Sequence, residues 1–239
     1  GMTTTRSHKA VDPERDAQQR REFTHAILGD LRALERMLKE GLFETGVRRI
    51  GAEQEMFLVD QAWAPAPGAL EMLKRLDDDH FTTELGMFQL EANCDPQPLG
   101  GDGLSRMERQ LDELMEKARK AAAEINLQPV LMGILPTMRK SDLGLHNMVP
   151  SPRYQTLGKV MHELRDGKFE ISIKGLDELI IEHDSVMVEA CNSSFQVHFQ
   201  VEPAEFARMY NLAQLLAGPM MSISANSPLL FGRRLWAET

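Results

Sequence analysis

Gly51-Ala52-Glu53-Gln54-Glu55-Met56-Phe57-Leu58-Val59 sets two carboxylates one residue apart inside a run that otherwise reads as a buried strand. In a β-strand, residues two apart point to the same face, so Glu53 and Glu55 present their charges side by side with nothing basic between them. Such a pair repels itself unless a proton or a cation settles it. A second predicted strand, Glu84-Leu85-Gly86-Met87-Phe88-Gln89-Leu90-Glu91-Ala92-Asn93, repeats the anomaly with Glu91 between Gln89 and Asn93 on one face. A third, Ser194-Phe195-Gln196-Val197-His198-Phe199-Gln200-Val201, alternates throughout, with Gln196, His198 and Gln200 on one side and four apolar residues on the other. Three strands thus offer acidic, amide and imidazole groups to one common surface. Carboxylate oxygens with an imidazole form a ligand set for a divalent cation, and several together suit Mg²⁺ or Mn²⁺ carrying a phosphate.

Outward from these strands, the chain alternates irregularly. Residues 14–40 carry Phe23, Ile27, Leu31, Leu34 and Leu38 at spacings of three and four, which predicts an amphipathic helix packed on the body. An Ala/Pro loop at 62–68 precedes a short helix over 69–77. The loop 94–103 ends the second acidic strand. Ser105-Arg106-Met107-Glu108 then fits a capping box, opening a helix to about Asn126 with Met107, Leu111, Leu114, Ala118 and Ala122 as its apolar stripe. Residues 128–135 read as a strand, 136–150 as a long loop, and 169–174 and 185–192 as further strands. Glu202-Pro203 starts a helix running from Ala204 to about Ser224, and 231–239 shows a helical pattern stopped without a cap. This order lacks regular β-α alternation. It predicts an α+β fold, a curved and largely antiparallel sheet with helices packed on one side. The expected organisation is one domain over 14–239 behind a flexible N-terminal segment, 1–13; Gly1 before Met2 reads as the remnant of a cleaved tag.

Composition narrows the partners. In 239 residues, 27 Lys and Arg face 36 Asp and Glu, and a net charge of −9 argues against nucleic acid or an anionic membrane as the main partner. Cys94 and Cys191 stand far apart without C-x-x-C spacing, which fits a reduced cytoplasmic protein. The most apolar late segment, 212–225, is too short and too interrupted to span a bilayer.

Four motifs in order give the chain a resemblance. Gly51-Ala52-Glu53-Gln54-Glu55 resembles the G-x-E-x-E opening strand of the carboxylate-amine ligases of the type-2 glutamate-cysteine ligase group, within the glutamine-synthetase-like fold. Glu84 with Gln89-Leu90-Glu91-Ala92-Asn93 is similar to that family's second acidic strand, Val197-His198-Phe199 to its H-V-H-V-G strand, and Ser224-Ala225-Asn226-Ser227-Pro228 to its S-A-N-S-P turn. The resemblance implies an ATP-dependent reaction in which a small amino or carboxylic acid becomes an acyl phosphate and an amine displaces phosphate to form an amide. It implies Glu53, Glu55, Glu84, Glu91 and His198 as metal ligands or supporting groups for Mg²⁺ or Mn²⁺. Gln196 and Gln200, on the polar face of the third strand, and Lys174 are the candidates for the nucleotide. Arg153-Tyr154, matching a recurrent R-Y, and Asn226 are implied on the substrate. It also implies further strands, a basic segment and another acidic ligand beyond Thr239, so that this chain carries about half an active site.

The departures are Gly133-Ile134-Leu135-Pro136 where many members have G-T-H-P, Gln196 in place of the first histidine, and Gln200 in place of glycine. They bear on the amino-acid substrate more than on the metal. Glu84 and Glu91, seven apart, have opposite parity on an unbroken strand, and a bulge at Gly86 would correct it. Other readings stay open: a solvated edge strand with Glu53 and Glu55 paired to Arg48 and Arg49, a core histidine at 198, a guanidino-kinase-like phosphotransferase, or a nucleotide-binding module without catalysis. The unpaired edge of such a half-sheet predicts a homo-oligomer.

Overall fold

The computed structural model of the chain describes residues 13–164, 169–183 and 185–239. The expected flexible segment lies outside them except for Pro13, which opens helix α1, Pro13–Glu40. Two compact units are present: Val47–Val201 with Ala207–Thr239, and the chain up to Gly46 with Glu202–Phe206.

In the smaller unit, α1 ends at Gly41, whose φ of +66° only glycine adopts easily, while Leu42 N–H donates to Met37 O (3.0 Å) to close the last turn. Lys39–Glu35 and Arg36–Glu40 pairs at i,i+4 brace its exposed side. The predicted apolar stripe exists, and Phe23, Ile27, Leu31, Leu34 and Leu38 on it are all exposed. Periodicity fixes which side of a helix is apolar; it does not supply what covers it.

The larger unit is built on strand β1, Arg49–Val59. After it come α2 (Ala69–Leu76), β2 (Phe81–Thr83), β3 (Gln89–Asn93), β4 (Gln97–Pro98), α3 (Gly103–Ala123) and β5 (Gln128–Val130). Two 3₁₀ turns, Lys140–Leu143 and Leu145–Asn147, lead to α4 (Pro152–Leu164), β6 (Phe169–Lys174), β7 (Glu178–His183), a 3₁₀ helix at Val186–Cys191 and β8 (Phe195–Phe199). The chain closes with α5 (Phe206–Ser224), β9 (Leu229–Leu230) and β10 (Arg233–Arg234).

Every pairing on β1 is antiparallel. One edge takes β4 and β3, with Glu53 opposite Asn93, Glu55 opposite Glu91 and Phe57 opposite Gln89. The other takes β8 and β5, with Gly51 opposite His198, Glu53 opposite Gln196 and Phe57 opposite Val130. Met56 and Leu58 point to one face, where Ala69 and Met72 of α2 and Leu114, Ala118 and Ala122 of α3 cover them. Phe57 and Val59 point to the other, into a second core with Phe88, Met138, Leu143 and Met187. That second core stops short of Glu55. Phe57 is fully buried while Glu53 and Glu55 are half-buried, so the polar half of the face lies at the margin of the apolar half.

Four expectations are corrected. Glu84–Asn93 is not one strand: β2 and β3 form a hairpin, Thr82 opposite Glu91, and Glu84 lies in the connection, so no bulge is needed to reconcile parity. At Gly86 the backbone turns, its O accepting Gln89 N–H (2.9 Å) and its N–H donating to the buried Gln89 Oε1 (3.0 Å). Residues 186–191 form a 3₁₀ helix capped by Ser185 Oγ, which accepts Met187 N–H, and the missing partner of β6 is β7. Helix α3 starts at Gly103 after Asp102, so Ser105 stands inside the first turn and not at the N-cap position the predicted capping box needs, and Asp102 pairs with Arg106 one turn on. The end of the chain is a hairpin: Phe231 (φ +47°) and Gly232 (φ +74°) make the two-residue turn that matches strand twist, and β9 pairs with β10. Arg234 Nη2 stands 2.9 Å from Asp177 Oδ1 and fixes that hairpin's approach.

Candidate metal centre

Antiparallel register aligns the polar side chains in columns. Opposite residues share a face, so β1 contributes Arg49, Gly51, Glu53 and Glu55; β3 contributes Gln89, Glu91 and Asn93; and β8 contributes Gln196 and His198. The β2–β3 connection then brings Glu84 over the same place. Ligand oxygens of Glu55, Glu84 and Glu91 lie within 4.8 Å of one another, and Glu91 is buried.

Each carboxylate is oriented by a neighbour. Glu55 Oε2 accepts the backbone N–H of Ser194 (2.7 Å), and its Oε1 accepts Gln196 Nε2 (3.3 Å). Glu91 Oε1 accepts Asn93 Nδ2 (2.9 Å), and Asn93 is itself held by its N–H to His80 O (2.7 Å). Burial, then a hydrogen bond to Glu91 and the negative charges of Glu91, Glu55 and Glu53, push the Glu84 carboxyl up to about 8. At neutral pH Glu84 therefore keeps its proton and donates it to Glu91. A divalent cation is the other way to settle the same three groups. Mg²⁺ at about 2.1 Å from each ligand holds neighbouring oxygens about 3–4 Å apart, which this spacing nearly meets, and an all-oxygen set is the one Mg²⁺ and Mn²⁺ prefer. The residues present fit the ion.

Glu53 and His198 sit beside this group, not in it. His198 Nε2 is 3.1 Å from Glu53 Oε1, one step along the strands from Glu55. Gln196 is brought to Glu55 as an amide donor, and Gln200 lies further off, accepting from Arg49 Nη1 (2.8 Å). Tyr154 reaches the site from α4: it is half-buried against the second core, and burial followed by the charge of Glu84 raises its hydroxyl. The Arg153 guanidinium lies 5.9 Å from the Tyr154 ring centre and is exposed. Asn226 Oδ1 accepts Gly133 N–H (2.8 Å), tying the turn after α5 to the segment after β5. Lys174 is exposed on the separate β6–β7 hairpin and is not brought together with the glutamates.

Two features had no sequence signal. Asn93 shares the strand face with Glu91, but only the geometry makes it the donor that aims this carboxylate. Behind the sheet, His80 Nδ1 stands 2.6 Å from Asp78 Oδ1 and its Nε2 3.2 Å from Asp95 Oδ2, while Lys117 donates to Asp78 Oδ2 (2.7 Å). The hydrogen bond to Asp78, then that to Asp95, raises the His80 pKa; Lys117 is the first cause lowering that of Asp78. These groups come from three elements separated by up to 39 residues, so no local pattern announces them.

The class that the structure defines is an antiparallel α+β sheet with a carboxylate cluster on its polar face and helices behind it. The sequence model of glutamate-cysteine ligase family 2 matches residues 49–239, the whole stretch from β1 onward, and the chain belongs to that family. A curated protein of Frankia alni, provisionally named glutamate–cysteine ligase 2-3, is 29% identical over 109 residues, covering 45% of this chain and 12% of its own length. The chain thus spans a small part of that relative. Family and relative support a ligase-like function. Among the described residues, no helix is long and apolar enough to cross a membrane.

Proposed function

We propose that the chain acts as an ATP-dependent carboxylate-amine ligase. The observation that carries the reading is the convergence of Glu55, Glu84 and Glu91 oxygens on the polar face of β1 and β3. A carboxylate oxygen of a small amino or carboxylic acid attacks the γ-phosphorus of ATP, the bond to the β–γ bridging oxygen breaks, and ADP leaves. The amine then attacks the acyl carbon, phosphate departs with the carbon–oxygen electron pair, and the amine gives up a proton as the amide forms. Phosphoryl transfer depends chiefly on positioning and on neutralising developing charge. Glu55, Glu84 and Glu91 would hold Mg²⁺, which would supply that neutralisation. Ser194 N–H and the Gln196 amide hold Glu55, and Asn93 holds Glu91, so two of the three ligands are fixed before any ion arrives. Below pH 8 Glu84 must surrender its proton to bind the cation, and Tyr154 stands close enough to sense that charge.

The test is ADP release by the full chain in Mg²⁺ with amino-acid carboxylates and amines supplied singly and together. ADP that appears only with both, together with amide product, and is lost in Glu55→Ala and Glu91→Ala, supports the reading. ADP formed on a guanidinium acceptor without amide would select a phosphotransferase, and Mn²⁺-ADP binding without turnover a binding module.

A further inference from the structure

We propose that Gln89 is a positioning residue for the metal centre: its buried amide holds the turn that carries Glu84 within reach of Glu55 and Glu91. The inference rests on the metal reading made above. Gln89 opens β3, two residues before Glu91 on the same face and opposite Phe57 of β1. It is 2% exposed, and Phe57, Phe88 and Leu90 around it are fully buried and apolar, so a polar side chain stands where an apolar one would add to the core.

Both ends of the amide are used. Oε1 accepts the Gly86 N–H (3.0 Å), and Nε2 donates to Asn192 O (2.6 Å). One place needs an acceptor and the other a donor, so the amide cannot be turned over. Unpaired, such a group would be costly to bury, and the two bonds are what keep it there. Each bond leads to a different part of the cluster. Gly86 lies two residues after Glu84, in the connection between β2 and β3. Asn192 lies two residues before Ser194, whose N–H donates to Glu55 Oε2 (2.7 Å). The segment between them is anchored in turn: Ser193 N–H donates to Gly133 O (2.9 Å) and its Oγ to Met132 O (2.7 Å). Strand pairing already places Glu55 and Glu91, whereas Glu84 stands outside any strand and its position depends on the turn. Backbone bonds tie that turn to residues 147–149; Gln89 is the side chain that ties it to the strand carrying Glu91.

Calorimetric titration of the full chain with Mn²⁺ alone, at one fixed pH, tests the role through a double-mutant cycle of Gln89→Met and Glu84→Gln. Methionine keeps the length of the side chain and neither hydrogen bond. Gln89→Met is expected to weaken Mn²⁺ binding at least about tenfold, as loss of an outer partner does at other metal sites. Glu84→Gln is expected to weaken it comparably on the unchanged chain and by less than about twofold in the Gln89→Met background, where the ligand it removes is already out of place. Leu114→Ala, which opens a cavity in the core behind the sheet, is the control: it lowers stability and is expected to leave Mn²⁺ affinity unchanged. Gly86→Ala reaches the same bond from its other end and decides the question if Gln89→Met does not fold. The φ of Gly86 is not positive, so the backbone accepts alanine, but a Cβ there would stand 2.9 Å from Gln89 Oε1 and displace the amide. It is expected to weaken Mn²⁺ binding likewise. Unchanged affinity in folded Gln89→Met or Gly86→Ala overturns the positioning role and leaves the metal centre standing. Additive losses in the cycle, or a loss in Leu114→Ala equal to that in Gln89→Met, overturn it too. Failure of Mn²⁺ to bind the unchanged chain overturns the metal reading, and the positioning role with it.

Discussion

Replacing Glu84 with glutamine removes the one acid among the three glutamates that the fold keeps protonated. The amide has the shape of the neutral acid and still donates to Glu91, so the variant imitates the low-pH state at every pH. The wild-type carboxyl is displaced from its ordinary 4.5 to about 8. A raised carboxyl contributes stability that is fully present below pH 4.5, declines as pH rises, and is gone above about 8, because the unfolded chain releases the proton first. At about 1.4 kcal/mol for each pH unit the displacement sets a ceiling of about 5 kcal/mol, and partial exposure to solvent lowers it to about 2–3 kcal/mol. Glu84→Gln is therefore expected to be about 2–3 kcal/mol more stable than wild type at pH 9 and no more stable at pH 4.5, read from urea unfolding without divalent cations. The same variant is expected to lose Mn²⁺ affinity, since a neutral amide is a poorer ligand. Metal binding and metal-free stability move in opposite directions. A variant whose stability tracks wild type at both pH values would refute the shared-proton reasoning, and unchanged Mn²⁺ affinity would remove Glu84 from the metal centre.

Other consequences follow from the same geometry. The His80 ring is raised above 6.5 by Asp78 first and Asp95 next, so its stabilisation is full below pH 6.5 and is lost as pH rises through its folded value. His80→Phe is expected to lose about 0.5–1 kcal/mol at pH 6 and nothing at pH 9; an NMR titration placing His80 at or below 6.5 would contradict this. A Cβ at Gly175 would stand 2.5 Å from the Leu235 backbone, so Gly175→Ala is expected to destabilise by about 1–3 kcal/mol in urea titrations, an unchanged midpoint showing instead that the C-terminal hairpin yields. Among the described residues β8 pairs with β1 alone, and Phe195, Val197 and Phe199 are exposed on it. Self-association through this strand is expected to raise the light-scattering mass with concentration, and Val197→Lys to suppress the rise; a strictly monomeric mass at high concentration would count against it.

What the sequence determined by itself is the polar face. Period-two alternation is a local property, so Glu53 with Glu55, Gln89 with Glu91 and Asn93, and Gln196 with His198 could be placed on shared faces without coordinates, and the α+β class followed from the irregular order of elements. The same locality made 84–93 look like one strand. Its apolar content suits an extended chain, and only the pairing of Phe81–Thr83 back onto β3 shows that the backbone turns at Gly86 and brings Glu84 across to Glu91. Residues 185–192 and 231–239 were misread for a related reason: a short apolar run is compatible with strand, 3₁₀ turn or helix, and the choice falls to partners far along the chain, Leu143 and Met138 in one case and Asp177 in the other. Which carboxylates meet was likewise a tertiary decision. Alternation makes Glu53 and Glu55 equivalent, but register sets Glu55 opposite Glu91 and Glu53 opposite Asn93, and so one glutamate enters the three-oxygen cluster while the other turns to His198.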